Sequence, residues 1–84
     1  MVRPRTVSNE EVLQGIVYLQ DELDLEYFTS ERLGEEVRLS RPTVNRRIKE
    51  LEALGWIRVK RYRNQKGHWR YQVRVMSKGR KAIS

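Results

Sequence analysis

Asn45, Arg46 and Lys49 are side chains that pair with base edges, Asn and Arg through two hydrogen bonds at once. They fall opposite Val44, Ile48, Leu51 and Leu54, which recur at spacings of four, three and three. A helix over residues 40–54 would therefore bury one stripe and present the other. Ser40 and Arg41 stand at its start, where free amides and a guanidinium suit a phosphate. Farther along, Arg61, Arg63, Lys66, His68 and Arg70 crowd into residues 61–70. Cations at that density make a clamp for a phosphate backbone; the plain alternative is a well-solvated hairpin. Arg47 lies close to the apolar stripe and is expected to pair with a glutamate of the preceding helix.

The elements that must hold these groups can be read from local signals. Ser8 with Glu11 is a capping box, and a helix is expected over residues 9–24. Val12, Ile16, Leu19 and Leu23 form its main apolar face. Leu13 and Val17 form a second strip, which fits either a dimer interface or a core completed by the C-terminal turn. Residues 25–28 have room for a very short strand. Thr29 caps a second helix over residues 30–37, with Phe28 and Leu33 spaced as a hydrophobic staple. Gly34, inside that helix, marks a close approach. Ser40 and Pro42 then open the helix carrying Arg46, and Gly55 can end it in the left-handed conformation. Two helices joined this tightly make a helix-turn-helix.

After Gly55 the apolar period changes to two. Ile57 and Val59 alternate with cations, as do Tyr71, Val73 and Val75 with polar residues. Two antiparallel strands are expected over residues 56–63 and 69–76, with residues 64–68 as the tip and Trp56 and Trp69 as a packed base. Residues 77–83 can form a last helical turn, and residues 1–7 a short basic arm before a single domain over residues 8–84.

Charge divides along the same line. The chain of 84 residues carries a formal net charge of +7. Residues 1–40 hold four basic and nine acidic side chains, and residues 41–84 hold fourteen basic and two acidic ones. The positive half begins where the Asn45–Arg46 helix begins, so one face is suited to a polyanion and the other is turned away from it.

Taken together, these segments resemble a winged helix-turn-helix, an α+β fold with a three-helix core, a C-terminal β-hairpin wing and a short C-terminal helical turn. The resemblance is strongest to the MarR-like regulators of bacteria and archaea. It is carried by Phe-Thr-Ser-Glu-Arg-Leu-Gly-Glu-Glu-Val from residue 28, by Leu39 through Ile57, by the basic hairpin, and by Val-Met-Ser-Lys-Gly-Arg-Lys-Ala-Ile from residue 75. It implies that Thr43, Asn45 and Arg46 face a DNA groove and that the wing tip near Lys66 reaches backbone or minor groove. Met76 stands where the family often has Thr, and the long dimerising terminal helices of MarR-like proteins have no counterpart. Arg41, Asn45, Arg46 and Trp69 also fall near the backbone-contact positions of Z-form nucleic-acid readers. Lys49, however, replaces a Tyr of those domains, and the wing lacks their prolines.

The resulting expectation is a sequence-specific double-stranded DNA binder, a transcription regulator acting as a homodimer through Leu13 and Val17. The alternatives are a winged-helix interaction module of replication or transcription machinery, and an architectural DNA binder indifferent to sequence. An enzyme is not expected: one His, no Cys, and Asp21 with Asp24 on an acidic helix make no nucleophile–base pair. The same lack of Cys around His68 argues against a metal site, and no cofactor or small-molecule effector can be inferred. Absence of cysteine fits a reducing compartment. With no apolar run long enough to span a bilayer and no apolar N-terminal core, a cytoplasmic, nucleoid-associated protein is expected.

Overall fold

The computed structural model describes residues 7–63, 65–66 and 69–84. Ser8 starts α1 (Asn9–Asp21), its hydroxyl accepting from the Glu11 amide at 3.2 Å. The helix stops at Asp21 rather than 24. Asp24 takes a left-handed φ of 53°, and the Leu25 amide reaches back to the Leu19 carbonyl at 2.9 Å. Leu23 is therefore off the helix and exposed, not part of its apolar face.

Phe28 makes a single antiparallel bridge to Tyr71. Thr29 then caps α2 (Ser30–Val37), accepting from the Arg32 amide at 3.1 Å, while Phe28 and Leu33 are both buried as a staple requires. Arg38 leaves the helix at φ 59°, and the Leu39 amide donates to the Gly34 carbonyl at 2.9 Å. This turn needs Gly34: a Cβ there would lie 2.5 Å from the Leu39 carbonyl oxygen. α3 (Arg41–Ala53) begins with Pro42 in its first turn, where a missing N–H costs nothing. The Ser40 side chain does not cap a backbone amide; its hydroxyl bonds to that of Thr43 at 2.9 Å. Val44, Ile48 and Leu51 are fully buried, whereas Leu54 is 44% exposed because the helix has ended and Gly55, at φ 75°, turns the chain away.

β1 (Ile57–Arg63) and β2 (Trp69–Val75) pair antiparallel, with Ile57 opposite Val75 and Arg63 opposite Trp69. α4 (Ser77–Ile83) closes the fold. Among the described residues, four helices and one hairpin make an α+β winged helix. α1 packs on α2, α3 and α4, and the core draws on every element up to β2. Each fully buried Leu or Ile contributes roughly 1.5–3 kcal/mol to such a core.

Two core members correct the sequence reading. Leu13 is 0% exposed: α4 comes so near that a Cβ on Gly79 would sit 3.1 Å from a Leu13 methyl. Leu13 completes the core against the C-terminal helix and is not available as a dimer surface, while Val17 is half-buried. Val7, placed in the arm, is buried among core residues. Residues 1–6, with the rest of that arm, lie outside the described residues.

Candidate nucleic-acid interface

Burial of Val44, Ile48 and Leu51 fixes the rotation of α3, so Arg46 and Lys49 point to solvent on the far side. Neither has an ion-pair partner among the described residues. Thr43 is half-buried beside them, engaged with Ser40. Arg41 is exposed at the helix start, yet it pairs with Glu31 of α2 at 3.3 Å.

Asn45 differs from its neighbours. Its carboxamide oxygen accepts from the Ser30 hydroxyl on α2 and from the Tyr71 hydroxyl on β2, the latter at 2.7 Å. One side chain thus joins α2, α3 and the hairpin. With that oxygen occupied by two donors, the NH₂ group is what remains for a ligand. Bidentate pairing to adenine needs both ends of the amide, so this arrangement disfavours it. The NH₂ instead suits an acceptor such as a phosphate oxygen or a purine N7. The surrounding recess, about 310 Å³, is lined by Ser30, Arg41, Asn45, Trp69 and Tyr71 among others.

Arg47 does not meet a glutamate of α2. Its guanidinium donates to the Val7 carbonyl at 2.9 Å and to the Asn9 side chain at 3.0 Å, with Glu50 at 3.4 Å. It is a brace between α3 and the start of α1, unavailable to a base.

Strand alternation sorts the hairpin cations into two sets. Ile57, Val59, Arg61 and Arg63 lie on one face with Trp69, Tyr71, Val73 and Val75, turned toward α3 and the core. Arg58, Lys60 and Tyr62 lie on the other with Arg70, Gln72 and Arg74. The five cations expected to form one clamp are therefore divided. Arg61 and Arg63 face the groove beside α3, and Arg70 faces away. Lys66 is exposed near the tip, and His68 lies outside the described residues.

On the inner face Arg61 forms an ion pair with Glu52 of α3 and lies 5.8 Å from the Tyr71 ring centre. The Glu52 hydrogen bond holds the Arg61 pKa above its ordinary value against a small loss from burial. Arg63 lies over Trp69, 5.2 Å from the ring centre. Trp69 is 49% exposed, so it is not packed at the base as expected; Trp56 is the one that packs against the core. The exposed Arg63–Trp69 pair carries a flat cation at the mouth of the groove.

Sequence reasoning missed Ser30 and Tyr71 as the groups that hold Asn45, and Glu52 as the partner of Arg61. Tyr71 was visible only as an alternating strand residue and Ser30 only as the residue after a cap. Among the described residues no helix is long and apolar enough to cross a membrane.

Residues 29–58 match a family described as winged helix-turn-helix DNA-binding. The match spans α2, the turn, α3 and the first residues of β1, and it supports a DNA-binding role for this surface. No curated protein and no solved structure matches the chain.

Proposed function

We propose that this domain binds double-stranded DNA sequence-specifically and regulates transcription, as the MarR-like proteins it resembles do. α3 enters the major groove, and the hairpin lies on the adjacent backbone or minor groove. The observation that carries this reading is the state of Arg46 and Lys49: exposed, without an ion-pair partner among the described residues, and held opposite a fully buried stripe on a short, rigidly seated helix. Arg46 is the base-reading group, pairing with guanine, with Lys49 and Thr43 beside it. Ser40, Arg41 and the Asn45 NH₂ position the helix on phosphates, and Arg63 extends that contact along the wing.

One α3 covers few base pairs, so the reading includes two copies on a two-fold site, their helices about 34–36 Å apart. Leu13 has no part in that pairing.

Selection of bound fragments from a random DNA pool tests specificity. An enriched motif is expected, palindromic if two copies pair. If random competitor displaces the motif as well as itself, the surplus of hairpin cations is the whole of the binding and the domain is architectural. Salt separates both from a protein-docking role. Neutralising about five phosphates gives a slope of log K against log salt near −4 to −5. A slope shallower than about −1 would remove the DNA reading.

A further inference from the structure

The outward face of the hairpin carries charges that neither the fold nor the α3 surface uses. The antiparallel register sets Arg58 directly opposite Arg74 and Lys60 opposite Gln72. Like charges facing each other across a strand pair destabilise it, so folding alone gives no reason for the Arg58–Arg74 pair. Arg80 of α4 lines the same open groove, of about 980 Å³, together with Arg58, Lys60 and Arg74. Among the described residues none of these four cations has an ion-pair partner. Asp24 and Glu26 line the same groove, but neither forms an ion pair with them: Glu26 accepts instead from the Gln72 side chain at 3.1 Å.

Position decides what this face can reach. Arg61 and Arg63 point toward α3, whereas Arg58, Lys60 and Arg74 point the other way from the same two strands. A straight duplex seated on α3 and the inner face of the hairpin leaves the outer face uncovered. Any phosphate bound there belongs to another stretch of nucleic acid.

We propose that Arg58, Lys60, Arg74 and Arg80 form a second DNA-backbone site, through which one protomer holds a second duplex segment while α3 holds the first. The proposal rests on the DNA-binding reading of α3. Composition favours a phosphate backbone over an acidic protein. Protein interfaces are anchored by desolvated aromatic and apolar side chains at their centre. The centre of this face is guanidinium and ammonium. Its ring, Tyr62, stands at the edge and packs edge-on against Tyr27 with centroids 5.7 Å apart. Paired guanidiniums with nothing to neutralise them fit phosphate oxygens on a duplex backbone.

The test is capture of a labelled duplex by protein already bound to an immobilised duplex. Wild-type protein is expected to capture the second duplex. The double variant Arg58→Gln with Arg74→Gln should bind the immobilised duplex within about threefold of wild type and lose capture by about tenfold or more. Its melting temperature should stay level or rise, since a like-charge pair is gone. A second double variant, Lys60→Gln with Arg80→Gln, spans two elements and should show the same selective loss, so poor folding of the first would not decide the matter. Capture by both variants at wild-type level would place bridging elsewhere, on paired copies using α3 alone, and overturn the proposal. Wild-type protein that binds the immobilised duplex but captures no second one also overturns it. Failure to bind the immobilised duplex at all would instead remove the DNA-binding reading.

Discussion

In α3, one of the four cations braces the fold: Arg47 grips Val7 and Asn9, whereas Arg41 makes only an exposed pair with Glu31 of α2. In the hairpin Arg61 is tied by an ion pair to Glu52 of α3, while Arg58, Lys60, Arg63, Arg70 and Arg74 face solvent. The same side-chain type therefore does two jobs. The helix spends Arg47 on being placed correctly and keeps Arg46 and Lys49, with the exposed Arg41, for the ligand. The hairpin keeps most of its charge free. A division follows between orientation and selectivity from α3 and backbone attraction from the wing, with Arg63 on its inner face serving the duplex that α3 holds.

The largest expected effect sits on the structural side of that contrast. Arg47→Ala removes a charged donor from a buried carbonyl and from Asn9, and should cost about 2–3 kcal/mol of stability. In a domain of this size that lowers the melting temperature by roughly 8 °C or more. A loss below about 0.5 kcal/mol would make Arg47 as dispensable as a surface cation and dissolve the contrast.

Arg46→Ala should do the reverse, leaving the melting temperature unchanged while costing roughly 1–3 kcal/mol of binding to a selected site. Preference among sequences should weaken with it. If affinity and preference both survive in a binding titration, α3 is not the reading element.

Smaller effects sharpen the wing half. Arg63→Ala should weaken all sequences alike and make the salt slope shallower by about 0.9, one phosphate's share. Loss of preference without a change in slope would move Arg63 into the selective set. Glu52→Gln releases Arg61 from its neutralising partner. Binding should tighten a few-fold with a steeper salt dependence, against a stability loss of about 0.2–1 kcal/mol for a partly exposed pair. Unchanged salt dependence would mean that Arg61 stays out of reach of DNA even when freed.

Much of the fold was legible because its signals are local. Thr29, Ser40 with Pro42, and Gly55 mark helix limits within a few residues of their own positions, and period two marks the strands. The misreadings share a different cause. Leu13 looked like a spare strip because nothing in α1 announces that α4 will close over it through Gly79. Trp69 looked like a packed base because a lone aromatic does not say which end of the strand is covered. Arg47 and Asn45 read alike as polar helix residues. Their partners lie 40 and 26 residues away, at Val7 and Tyr71, and only the folded chain brings them together. Residue types at the interface were readable; their occupied and free atoms were not.

The bond of Asn45 to Ser30 and Tyr71 has a mechanical consequence. With the Arg61–Glu52 pair it fastens the wing to α3 at two points, so the angle between the two is built into the protein. On the DNA-binding reading the domain then acts as a caliper with fixed jaws. A duplex whose groove-to-backbone span differs from the jaw setting must itself bend or narrow, and stiff sequences resist that more than flexible ones. Selectivity would arise at base pairs no side chain touches. Tyr71→Phe, which keeps the ring and removes one fastening, should let the jaws adapt and shrink the affinity gap between stiff and flexible duplexes; an unchanged gap would mean the setting is held elsewhere.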